Sequence, residues 1–160
     1  MQKILRLHQG WSRYDMHMND WGGSLLSLAI RWYVGWQFFK AGLTKIAEWS
    51  NTLALFRDEY QVPVIPPELA AVMGATGELM LPLLLFVGLL SRPAACALFA
   101  VNLTAVISYP QLFKFECPAG LLDHFYWGAL LLVLVAFGPG RLALDSWFAN
   151  LTSKQAIAKV

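Results

Sequence analysis

The stretch ELAAVMGATGELMLPLLLFVGLL, Glu68 to Leu90, decides how the chain is read. From Leu69 onward it is an apolar run of 22 residues interrupted by one carboxylate, Glu78. A helix of that length rises about 33 Å, enough to cross a hydrocarbon layer of about 30 Å. An ionised side chain near the middle of such a span costs a few kcal/mol, so Glu78 requires a partner, a cavity or a proton. Pro82 adds a second polar demand, because it has no N–H to donate to the carbonyl of Glu78 four residues back. A polar pocket at that depth would satisfy both groups. Ala71, Gly74, Glu78 and Leu81 share one helical face, so small residues flank the charge.

Working outward, the preceding apolar run carries one charge, Arg31. Ser27, Arg31 and Gly35 fall at i, i+4 and i+8, and the small residues let a neighbouring helix approach the guanidinium. The spacing predicts an interior Arg31–Glu78 pair between antiparallel spans, the long arginine stem covering the offset in depth.

Composition agrees with a membrane setting. Apolar residues make up 58% of the 160 positions and charged residues 14%, against about 45–50% and 25% in soluble domains. The expected architecture is all-α, a four-helix transmembrane bundle with short interfacial amphipathic helices. A net charge of +2 with scattered Lys and Arg gives no nucleic-acid footprint. The first 22 residues lack a continuous apolar core and a small-residue cleavage site, so no removable signal peptide is expected.

The expected spans are 23–39, 69–90, 93–109 and 121–138, forming one domain over 23–138. A basic N-terminal segment, 1–22, precedes it and a tail, 139–160, follows. Trp49, Leu53, Phe56 and Tyr60 form a stripe in 47–60, predicting an amphipathic helix along the interface. Ser91-Arg92-Pro93 reads as a tight turn, and Asp145 is placed to cap a short helix in the tail. Lys3, Arg6, Arg13, Arg92, Arg141, Lys154 and Lys159 outnumber Lys40, Lys45, Arg57 and Lys114 in the alternating flanks, seven to four, which predicts both termini in the cytoplasm.

Other candidate sites are sparser. Cys117 and His124 fall on the outer side of the fourth span, where a thiolate near an imidazolium has redox or metal chemistry open to it. Asn102, with Asp123, supplies further polarity, and Asn102 is expected to hydrogen-bond across helices. Cys96 and Cys117 fall toward opposite faces, too far apart to bridge. Met16-His17-Met18 offers soft ligands of a kind Cu(I) accepts, although three adjacent residues cannot all face one ion on a regular helix. Most Trp and Tyr read as interfacial anchors. No haem-ligand pair, CxxC, phosphate-binding glycine loop or catalytic triad pattern occurs, which favours a subunit or accessory protein over an autonomous enzyme.

Taken together, FFKAGLTKI after the Arg-bearing span, GATGELMLPLLLFVGLLSRPAA, and DHFYWGALLLVLVAFGPGRLALD resemble the DoxX family of small four-span membrane proteins over about residues 25 to 146. The resemblance implies a bacterial inner-membrane four-helix bundle. Some members resemble a subunit of a thiosulfate:quinone oxidoreductase and others resemble partners of secreted redox proteins. It therefore implies an accessory role in membrane redox chemistry, with quinone as the candidate cofactor at the Arg31–Glu78 pair and a periplasmic or membrane protein as partner. The alternative is a non-catalytic membrane binding protein that recruits, chaperones or helps export a small partner, metal-related in one version.

Overall fold

The computed structural model describes residues 18–114 and 118–157. Among them every regular element is helical. A π-turn, Met18–Gly22, leads into α1 (Gly23–Ala47), followed by α2 (Trp49–Asp58), α3 (Pro67–Val87), α4 (Ser91–Ser108), a 3₁₀ turn (Pro110–Phe113), α5 (Ala119–Phe137) and α6 (Leu144–Ile157). Three of these, α3, α4 and α5, are long and apolar enough to cross a membrane. The chain is an all-α membrane protein.

α1, α3, α4 and α5 pack in a ring, each touching the next and α5 returning to α1. The core is Val34, Phe38, Leu85, Leu98, Leu131 and Leu134 with the small Ala94 and Ala95, all buried. Leu69, Met73, Met80, Leu83 and Val87 on α3 stay exposed, as do Leu132 and Phe137 on α5. Such an outer surface suits lipid, and only the inner stripe of each helix is committed to packing.

Glycines set the register of α1 against α3. A Cβ on Gly35 would lie 2.6 Å from the Phe86 ring, and one on Gly42 would lie 2.8 Å from Leu79 Cγ and 3.1 Å from Glu78 Cβ. Seven residues forward on α1 thus correspond to seven back on α3, so the pair is antiparallel and closely spaced at both glycines.

α1 continues to Ala47 instead of ending near Phe39. Lys40 is a good helix former and stays exposed, while the buried Gly42 keeps the same face against α3, so the charge does not end the helix. The apolar stripe of α2 also has a different neighbour from the expected lipid. Phe56, with Leu53 and Tyr60, packs on Ala70 and Ala71 of α3 and on Val62 and Ile65 of the linker, while Trp49 remains outside.

The turn between α3 and α4 falls at Gly88–Leu90, before Ser91-Arg92-Pro93. Gly88 has φ 72° and Leu90 φ 49°, both left-handed, and Pro93 lies in the first turn of α4, where no intrahelical N–H bond is lost. Asp145 does not act as expected on its own helix. It lies inside the first turn of α6 and reaches back to α4, where its two oxygens accept the Leu90 and Ser91 N–H groups, each at 2.8 Å. It supplies the cap that α4 lacks locally. The tail is thereby tied to the helical ring.

Candidate functional site

Glu78 is buried, and its partner is Lys45. The Lys45 ammonium donates to Glu78 Oε2 at 2.6 Å, with side chains 19% and 10% exposed. Arg31 is elsewhere. The register set by Gly42 brings Glu78 level with the last turns of α1, and Arg31 lies 14 residues before Lys45, about 21 Å along the helix. The expected Arg31–Glu78 pair is thus corrected to two separate polar centres, one in the first half of α1 and one at its last turn.

Arg31 is fully buried. Its Nη1 donates to the carbonyl of Leu85 at 3.1 Å and its Nη2 to the carbonyl of Leu142. Leu85 is in the last turn of α3, where unsatisfied carbonyls and the negative end of the helix dipole favour a cation. A Cβ on Gly88 would collide with Nη1, which leaves that position to glycine for space as well as for φ. Arg31 joins α1, α3 and the start of the tail, and it is not among the residues that line the space at Glu78.

The Lys45–Glu78 pair, by contrast, heads a cavity of about 290 Å³. Gly74, Ala70 and Ala105 supply little bulk on its walls, and Val101 and Thr104 face it from α4. Phe56 and Tyr60 bring aromatic surface from α2 and the residues after it, their rings edge-on with centroids 4.8 Å apart. Burial pushes the Tyr60 phenol up from its ordinary value, and Tyr109, Glu78 and Glu59 act in the same direction, so the group is a neutral hydroxyl at physiological pH. Ser108, also on the wall, is buried and its Oγ has no hydrogen-bond partner among the described residues. A mainly apolar space thus offers an ammonium–carboxylate pair and a spare hydroxyl.

α2 closes this end of the molecule. Thr52 Oγ1 donates to the carbonyl of Lys45 at 3.0 Å, the N–H of Gln61 donates to the carbonyl of Ser108 at 2.7 Å, and Arg57 bridges to Glu68 at 2.8 Å. The first two satisfy carbonyls near the ends of α1 and α4. The last is exposed on both partners and contributes little.

The other candidate residues are distributed as follows. Asn102 is buried and donates across to the carbonyl of His124 at 2.9 Å, while its Oδ1 meets His124 Nδ1 at 2.8 Å. The His124 ring lies edge-on to Trp127, centroids 5.0 Å apart. His124 is thus locked between α4 and α5, and Asp123 points outward. Cys117, Met16 and His17 lie outside the described residues, and Cys96 is free and exposed. Among the described residues no group of three potential ligands could hold a metal.

The family model DoxX matches residues 26–111, a range that includes Arg31, Lys45, Glu78 and the cavity walls from Ala70 to Ser108. The chain belongs to the DoxX family. An uncharacterized protein of Haemophilus influenzae is 29% identical over 137 residues, 82% of this chain and 89% of that protein. The similarity of this DoxX chain therefore runs through nearly the full length of the relative. No solved structure matches it.

Proposed function

We propose that this DoxX protein binds a quinone head group in the cavity headed by Lys45 and Glu78, as a subunit or accessory of membrane redox chemistry. The observation that carries the reading is the placement of that ion pair at the end of an apolar, partly aromatic space of about 290 Å³. Ligand pockets begin at about 300 Å³, so the space suits one ring. A flat ring with carbonyl oxygens needs apolar walls and a few donors, and Phe56, Lys45 and the Ser108 hydroxyl are of those kinds. A quinone bound there supplies two-electron, two-proton carrier chemistry. The residues of the chain orient the ring, exclude water and hold a proton at the Lys45–Glu78 pair.

In this reading α1 also crosses the membrane. Its 25 residues span about 37 Å, and the charges that lower its hydropathy are engaged inside or lie toward its end. The seven-to-four bias of Lys and Arg supports an orientation with both termini in the cytoplasm, in what this reading takes to be a bacterial inner membrane. The cavity and α2 then lie toward the periplasm, where a partner protein would exchange electrons with the ring.

The test is titration of the detergent-purified full chain with a short-tailed benzoquinone, read by quenching of intrinsic fluorescence. The wild type should saturate, and Ala105→Trp, which fills the cavity from α4, should weaken binding at least tenfold. Equal quenching in both proteins would contradict the reading and favour a role in partner binding alone.

A further inference from the structure

At the end of the molecule away from that cavity, a groove of about 920 Å³ runs between the start of α1 and the end of α5. Leu26 and Ile30 form one wall, Val133 and Phe137 the other, and Phe137 is 82% exposed. Each pair is one helical turn apart, so the apolar surface is a strip along the helix direction. The polar end of the groove carries two guanidinium groups, Arg92 from the first turn of α4 and Arg141 from the segment after α5.

The carboxylates facing the groove do not neutralise both. Asp145 has its oxygens on the Leu90 and Ser91 amides. Asp20 approaches Arg141 at 3.4 Å, with both side chains more than half exposed. Arg92 forms no ion pair among the described residues, and its Nη2 reaches only the carbonyl of Ala136, at 3.4 Å. The groove therefore has an apolar body and an excess cation at its head.

We propose that this groove is a binding site for an anionic glycerophospholipid, its phosphate on Arg92 with Arg141 and an acyl chain along Leu26, Ile30, Val133 and Phe137. A planar guanidinium donates two parallel hydrogen bonds to a phosphate diester, and the excess cation at the groove head favours a head group that adds no positive charge of its own over a zwitterionic one with a quaternary ammonium. Basic pockets between helices at a membrane surface take anionic head groups on the same physical grounds. The turn at Gly138 shapes the seat. A Cβ there would lie 3.1 Å from Arg92 Nε, so glycine lets the guanidinium lie close over the end of α5.

The experiment is native mass spectrometry of the delipidated full chain, titrated with phosphatidylglycerol or with phosphatidylcholine of the same acyl chains. The wild type should retain phosphatidylglycerol at least tenfold better. Arg92→Gln should remove most of that preference, Arg92→Lys should keep part of it, and Lys40→Gln, an exposed cation at the other end of α1, should leave it intact. Leu26→Trp, which fills the apolar strip, should lower retention without altering the fold, as checked by circular dichroism. Equal retention of the two lipids, or a preference untouched by Arg92→Gln, would overturn the proposal. So would retention that emerges only after residues 1–17 are removed, since that segment would then be the occupant.

Discussion

Lys45 Nζ lies 2.6 Å from Glu78 Oε2, and this contact, made from the last turn of α1 to the middle of α3, gives the carboxylate its countercharge. It also separates the residue at the cavity from the arginine buried in the first half of α1. Double-mutant cycles should resolve the two. Lys45→Met with Glu78→Gln should show a coupling of about 0.5–3 kcal/mol in detergent unfolding, whereas Arg31→Met with Glu78→Gln should be additive. Coupling only in the second cycle would return Glu78 to Arg31.

The sequence already contained much of this arrangement. Long apolar runs marked α3, α4 and α5, since nothing but a span demands them. Glu78 stood out because a carboxylate in such a run needs a reason. Its partner was harder to read, because Lys40 looked like the end of the first span. Continued past Phe39, the face of Ser27, Arg31, Gly35 and Phe38 runs on through Gly42 and Lys45 at steps of four and three, and the buried side of α1 follows that line as far as Gly42. The cap that Asp145 gives to α4 had no local signal, because it joins residues 54 and 55 positions apart. The inward turn of the α2 stripe was equally hidden, since an amphipathic period does not say whether lipid or a neighbouring helix covers it.

Gly42 and Gly23 should respond oppositely to alanine. At Gly42 a gain of about 1 kcal/mol in helix propensity is set against overpacking of about 1–3 kcal/mol, because the new Cβ would lie 2.8 Å from Leu79 Cγ. Gly42→Ala should be net destabilising and loosen the Lys45–Glu78 contact. Gly23→Ala meets nothing within 4 Å and should be neutral or stabilising. Thermal midpoints in one detergent check both, and a more stable Gly42→Ala would show that α1 and α3 are not closely packed there.

Asp145 predicts an acid limit. Partial burial pushes its carboxyl up, but hydrogen bonds from Ser91 and the Leu90 amide, with Arg31 nearby, outweigh that and hold it below its ordinary value of 3.8. Because the folded value is depressed, the stabilisation is complete above the unfolded value and is lost as pH falls through the folded one. Asp145→Ala should cost about 0.5–2 kcal/mol at neutral pH, the range for a lost helix cap. The gap between variant and wild type should narrow below pH 4, and a gap that widened on acidification would refute the capping role.

The most direct test of the cavity reading is photolabelling of the full chain in membranes with an azido-benzoquinone, followed by peptide mapping. The label should fall on the cavity walls, on Phe56, Tyr60 or the α4 segment from Val101 to Ser108, and an excess of unmodified benzoquinone should displace it. Labelling confined to the exposed faces of α3 and α5, or clustered around Arg31 and undiminished by competitor, would contradict a quinone site at Lys45 and Glu78.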